Sequence, residues 1–156
     1  MSEVISMLLH KSGRFHIGNI SFGLPNDMYV NLVCGVEREL GFQMEMPGEQ
    51  FKIVIQCEYI EGDVGNYWYG LCYDENSFEL VDDYLDIQIN GVIGNRLKFN
   101  CWHSVYTEYA FPILDCDEAN TLSIALVEEN ADGYNSMKAH IIMDELLATI
   151  KPSQAI

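Results

Sequence analysis

Residues 51–60 read FKIVIQCEYI, and this stretch decides the fold because its side chains alternate with a period of two. The apolar face carries Phe51, Ile53, Ile55, Cys57 and Tyr59, while Lys52, Gln56 and Glu58 lie on the other face. This alternation predicts a β-strand with one buried face and one face in contact with water. Because the alternation is long and uninterrupted, we expect the strand near the centre of a sheet.

The segment before this strand completes a β-hairpin. Gly41 to Met46 alternate in the same way, and Pro47-Gly48-Glu49 has the composition of a turn. Asn90-Gly91 is a second strong turn signal, at the end of an alternating run. Further strands are predicted at residues 7–10, 14–21, 28–33, 85–89, 96–102, 105–113 and 121–127.

Two segments have the spacing of helices. Val64, Trp68 and Leu71 recur at intervals of three and four, which predicts a helix within residues 62–75. Near the end, Ile142 and Leu146 begin a similar stripe, with Asn135 or Ser136 as N-cap and Pro152 as the stop; the full stripe is Ile142, Met143, Leu146, Leu147, Thr149 and Ile150. The expected fold is therefore one α+β domain over residues 1–156. It has an antiparallel sheet of about seven strands, one mid-chain helix and a C-terminal helix packed on one face.

Acidic residues dominate the charge of this chain, whose formal net charge is -16. Of its 24 acids, 16 lie in two stretches without Lys or Arg, between Lys52 and Arg96 and between Lys98 and Lys138. Such a field repels nucleic acid and anionic membranes and attracts basic protein surfaces. The first residues lack a basic cluster and a long apolar run, so neither a signal peptide nor a membrane span is expected.

No motif of a known catalytic, metal or cofactor site occurs in the sequence. The five cysteines are odd in number and widely spaced, which is typical of buried thiols in a reducing, cytoplasmic compartment. The four histidines lack the spacing of metal ligands. Cys101 and His103 are two positions apart and would share one face of a strand, so a hydrolase using them is an outside alternative. The sequence therefore predicts no enzyme, cofactor or metal.

Three phrases resemble the PsbP-like superfamily of small α+β domains, which includes the extrinsic P protein of photosystem II. Residues 15–25 (FHIGNISFGLP) resemble its opening strand, residues 85–94 (LDIQINGVIG) its mid-chain strand ending in an N-G turn, and residues 145–151 (ELLATIK) its closing helix. The resemblance spans most of the chain. It implies the same fold and a role in binding or scaffolding rather than catalysis.

A candidate protein-binding surface combines exposed tyrosines with the first acidic stretch. Tyr69 and Tyr73 lie four positions apart and would serve as apolar anchors for a Lys/Arg-rich partner. The predicted binding residues are Tyr69, Tyr73, Asp74, Glu75, Glu79, Asp82, Asp83 and Asp86.

The sequence-based hypothesis is a bacterial, cytoplasmic, non-enzymatic protein that binds a basic protein. A toxin-neutralising immunity protein is one specific form. The alternative is an accessory or scaffold subunit whose acidity serves only solubility.

Overall fold

The computed structural model describes residues 14–23, 29–34, 40–45, 49–59, 78–101, 103–114, 119–129 and 133–153. Within these ranges the chain forms ten strands and one helix. The elements are β1 (Arg14–Ile17), β2 (Ile20–Gly23), β3 (Tyr29–Cys34), β4 (Leu40–Glu45), β5 (Phe51–Glu58), β6 (Phe78–Ile89), β7 (Val92–Cys101), β8 (Ser104–Pro112), β9 (Thr121–Glu129), α1 (Gly133–Ala148) and β10 (Lys151–Pro152).

The strands form two antiparallel sheets rather than one. A seven-stranded sheet has the order β3-β4-β5-β9-β8-β7-β6, and a three-stranded sheet has the order β1-β2-β10. The predicted α+β fold, with a single sheet of about seven strands and two helices, is therefore wrong. The described chain is mostly β, with one helix. The predicted mid-chain helix at residues 62–75 and the strand at residues 7–10 lie outside the described residues.

The predicted hairpin around residues 51–60 is confirmed. β4 pairs with β5 in an antiparallel register that places Glu45 opposite Lys52. β5 is an interior strand beside β9, the middle strand of the larger sheet. Its alternate residues Phe51, Ile53, Ile55 and Cys57 are buried, as their period of two predicts.

The main core lies between one face of the larger sheet and a layer formed by the smaller sheet and α1. Apolar side chains of β5 and β9 contact those of β2 and α1 in one cluster, which includes Ile20, Phe22, Ile53, Ile55, Leu122, Ile124, Leu126, Met143 and Leu146. Burial of each such large side chain stabilises the fold by about 1.5–3 kcal/mol. The C-terminal helix that covers this face begins at Gly133, slightly before the predicted caps.

The opposite face of the larger sheet has a second, smaller apolar cluster. Leu97, Phe99 and Cys101 alternate along β7 and are buried, with Tyr106 of β8 packed beside them. The rings of Phe99 and Tyr106 stack, with centroids 5.0 Å apart. On β9 every residue from Thr121 to Glu128 is buried, so both faces of this middle strand are covered.

The Asn90-Gly91 turn joins β6 to β7, as the sequence predicts. Both residues have positive φ, 50° and 87°, which is the conformation of a two-residue type I′ hairpin turn. The side-chain amide of Asn90 also donates hydrogen bonds to the carbonyl oxygens of Ala148 (3.1 Å) and Ile150 (2.8 Å). The turn therefore caps the C-terminal end of α1 and fixes the β6–β7 hairpin to it.

The predicted strand at residues 14–21 is interrupted by a turn. Gly18 and Asn19 connect β1 to β2, which pair antiparallel with Ile17 opposite Ile20. Gly18 has a φ of 52°, which most residues with a side chain disfavour. This reversal makes the two halves pair with each other and with β10, and it accounts for the second sheet.

Candidate functional site

The predicted acidic surface is described only in part. Tyr69, Tyr73, Asp74 and Glu75 lie outside the described residues. The other predicted residues, Glu79, Asp82, Asp83 and Asp86, all lie on β6. Because β6 is the last strand of the larger sheet, the structure brings these four positions to one sheet edge.

β6 pairs with β7 and with no other strand in the described part of the chain. The register with β7 shifts between Leu80 and Asp82 and again between Asp82 and Leu85. Such bulges twist an edge strand and divide it into shorter regular segments. The longest regular segment is residues 85–89, next to the Asn90-Gly91 turn.

The side chains of Glu79 and Asp86 on β6 are both exposed. Glu79 lies opposite Asn100 and Asp86 lies opposite Asn95. Since Asn95 and Asn100 are separated by an odd number of positions on one strand, the two acids project to opposite faces of the sheet. The two acids therefore lie on the same edge strand, with one carboxylate on each face of the sheet.

Two basic residues of β7 lie next to this edge. Lys98 occupies the position opposite Asp82, and Arg96 lies opposite Leu85. The acidic stretch that has no basic neighbour in sequence thus has two across the strand pair. Asp86, by contrast, accepts a hydrogen bond from the side-chain amide of Asn95, at 2.9 Å.

Two acids from the basic-free stretches are buried and do not contribute to a surface. Glu108 on β8 is 1% exposed and accepts a hydrogen bond from the hydroxyl of Ser123, at 2.5 Å. Glu128 on β9 is 3% exposed. In β9, Glu128 is in phase with Leu122, Ile124 and Leu126, so the alternation of the strand itself signals that this carboxyl group faces the core.

Glu128 forms a polar contact beneath α1 that sequence reasoning missed. His140 of α1 approaches it, with Nε2 3.1 Å from Oε1 of the carboxyl group. Oε2 of Glu128 has no hydrogen-bond partner within the described part of the chain. Two residues earlier on the helix, Lys138 pairs with Glu49, at 2.5 Å. These two contacts fix the first half of α1 over the start of β5 and the end of β9.

His140→Ala is expected to lower the free energy of unfolding by about 1–2 kcal/mol, because it leaves the buried carboxyl group of Glu128 without this contact. Urea denaturation at neutral pH measures the change. The double variant His140→Ala/Glu128→Leu should recover most of the loss, since it leaves no buried polar group to satisfy. Equal stability of His140→Ala and the unmodified protein would contradict a stabilising role for the contact.

Cys101 and His103 do not have the arrangement that the hydrolase alternative requires. β7 ends at Cys101, and His103 lies in the turn before Ser104. Cys101 is buried in the smaller apolar cluster, while His103 is exposed. The expectation that both side chains share one face of a strand is therefore wrong.

The described residues contain no cluster of three or more His, Cys, Asp or Glu side chains that could hold a metal ion. In the same ranges, no helix combines the length and the apolar character needed to cross a membrane.

Comparisons with known proteins show no family for this chain. No family model matches it, and no curated protein matches it. A crystal structure from Bacteroides thetaiotaomicron VPI-5482, at 1.50 Å resolution, is similar, with 14% sequence identity and a TM-score of 0.44. The match covers 92% of this chain and 49% of the other, so the chain spans about half the length of that structure. The resemblance to the PsbP-like superfamily stays a prediction.

Proposed function

We propose that this protein is a non-enzymatic, cytoplasmic binding protein that uses the β6 edge to engage a basic surface of another protein. The observation that carries the proposal is the placement of two exposed acids, Glu79 and Asp86, on the terminal strand of the larger sheet. A toxin-neutralising immunity protein is one specific form of such a function.

At this edge, electrostatic attraction mainly raises the association rate and the specificity of binding. It contributes a smaller part of the affinity. Each exposed ion pair contributes about 0.2–1 kcal/mol, and at physiological salt the field extends only about 8 Å. An apolar contact is needed as well. Val81 on β6 is 46% exposed and provides one between the two acids in sequence, in addition to the anchors that the sequence predicts at Tyr69 and Tyr73.

The double variant Glu79→Lys/Asp86→Lys is expected to slow association with a basic partner by at least about tenfold, with a much smaller effect on dissociation. The partner is a protein recovered from the native host. Stopped-flow measurements at several salt concentrations give the rates. The salt dependence of association should fall in the variant, because its attractive field is reduced.

Asp144→Lys/Glu145→Lys is the matched control. Both control residues are exposed acids on α1, so this variant has the same change in net charge outside the β6 strand. Its association rate should change far less than that of the β6 variant. If both variants slow association equally, only the total charge matters and the β6 edge is not the binding site.

The main alternative is an accessory or scaffold subunit whose acids serve solubility. One observation favours it: charged side chains on an edge strand also prevent unwanted pairing with other sheets, and β6 is such a strand. Under this alternative, Glu79→Lys/Asp86→Lys leaves partner binding unchanged. Unchanged association in a folded variant would therefore favour the scaffold function.

A further inference from the structure

The backbone N–H and C=O groups of β6 can also take part in binding. The Asn90-Gly91 turn determines which of these groups point toward β7 and which point away from it. In a two-residue type I′ hairpin, the residues that flank the turn form a hydrogen-bonded pair. Here these are Ile89 and Val92. Along an antiparallel pair, hydrogen-bonded and non-hydrogen-bonded positions alternate. Ile87 therefore also points its N–H and C=O groups toward β7.

The alternate residues Asp86 and Gln88 must then point their N–H and C=O groups away from β7. Both have exposed side chains. No described strand lies on that side of β6. The regular segment at residues 85–89 consequently presents a short row of backbone donors and acceptors, in the geometry that an added strand requires.

The negative charge of β6 indicates which kind of chain segment can bind at this edge. A second copy of this chain would bring another acidic β6 against the first, and the net charge of -16 opposes that. An extended basic segment is favoured, because the exposed carboxylate of Asp86 lies within the regular segment and that of Glu79 lies farther along the same strand, beyond the register shifts. Alternate side chains of an added strand project to opposite faces, so lysine or arginine on the face of Asp86 finds this carboxylate within the paired segment.

We propose that the partner of this protein binds by β-strand addition, with a basic extended segment pairing along residues 85–89 of β6. This inference rests on the proposed function and specifies its mode of binding. The register shifts between Leu80 and Asp82 and between Asp82 and Leu85 end the regular edge on the N-terminal side of residue 85. The added strand therefore pairs over about five residues before the first bulge.

A synthetic 11-residue peptide of alternating lysine and threonine is the probe, compared with the same peptide N-methylated at alternate residues. Amide hydrogen exchange, measured by NMR at low salt, reports on the backbone. In the free protein, Asp86 and Gln88 should exchange fast while Ile87 and Ile89 exchange slowly. The unmodified peptide should slow exchange at Asp86 and Gln88 at least tenfold, and the N-methylated peptide should not.

Two variants separate backbone pairing from side-chain contact. Gln88→Pro removes an outward N–H without removing a hydrogen bond to β7, and it should abolish the peptide-induced protection of Asp86. Gln88→Ala keeps the N–H and should retain that protection.

Several results would overturn strand addition. Equal binding of both peptides, or binding without protection of Asp86 and Gln88, would mean that side-chain charges alone capture the partner. The proposed function would then stand. Absence of peptide binding at millimolar concentration would also overturn strand addition, while association of the native partner still tests the function separately.

Discussion

Substituting alanine for Gly94 is expected to lower the free energy of unfolding by about 2–3 kcal/mol. A Cβ atom at this position would lie 2.5 Å from the carbonyl oxygen of Ala110 and 2.5 Å from Cδ1 of Phe111. Neither group can easily move: the first is strand backbone, and Phe111 is fully buried in the main core. The added methyl group must therefore push β7 away from β8 or displace the aromatic ring.

This strain would reach the candidate binding surface. Gly94 lies opposite Ile87, in the regular segment of β6. Chemical denaturation measures the change in stability, and amide exchange at Ile87 and Ile89 reports on the β6–β7 pairing. Ile93→Ala is the neighbouring control, because Ile93 is 67% exposed and its truncation should change stability by less than about 0.5 kcal/mol.

Combining Gly94→Ala with Phe111→Leu tests the cause. If the ring is the obstacle, the smaller side chain relieves part of the strain, and the double variant loses less stability than the two single variants together. Strict additivity would assign the strain to the backbone of Ala110 instead.

The parts of the fold that the sequence predicts are those in which one physical pattern dominates. β5 alternates because Phe51, Ile53, Ile55 and Cys57 face the core, while Lys52, Val54 and Gln56 on the other face are only partly buried. The Asn90-Gly91 turn is predictable because both positions need positive φ, which this pair accepts readily. The C-terminal helix is predictable from its apolar stripe, which contacts the core.

β6 shows why other parts are not predictable. Sequence periodicity identifies only residues 85–89, although the strand begins at Phe78. The two register shifts insert extra residues, so the period of two is lost before Leu85. The side chains therefore change phase within one strand, and no single alternation describes it.

The sequence alone does not show which acids are buried and which form a surface. A count of charge treats every carboxyl group as surface, yet Glu108 and Glu128 lie on the middle strands β8 and β9. The edge position of β6 also depends on strand order, which periodicity does not contain. Composition could thus predict an acidic protein, while the edge that presents Glu79 and Asp86 required the topology.

Gly18→Ala is expected to lower the free energy of unfolding by about 2–4 kcal/mol, at least as much as Gly94→Ala. One contribution is the backbone, because the φ of 52° disfavours a residue with a Cβ atom. The other is space: the new Cβ would overlap the carbonyl oxygen of Leu114 and would lie 2.6 Å from Cγ2 of Ile113.

The turn cannot move aside to make room, because hydrogen bonds hold it on two sides. The side-chain oxygen of Asn19 accepts a hydrogen bond from the backbone N–H of Leu114, at 2.7 Å. The carbonyl oxygen of Asn19 accepts another from the backbone N–H of Ser153, at 2.8 Å. The reversal between β1 and β2 is thereby fastened to the end of β8 and to the chain after β10.

Gly91→Ala is the control that separates the two contributions at Gly18. Gly91 also has positive φ, 87°, but the nearest atom to its added Cβ is Cγ of Pro152, at 3.9 Å. This variant should lose only the backbone contribution, about 1 kcal/mol. Thermal or urea denaturation of both variants gives the difference, which measures the close approach to Leu114. Equal losses at the two positions would contradict tight packing of the turn against β8, leaving the backbone conformation as the sole reason for glycine at position 18.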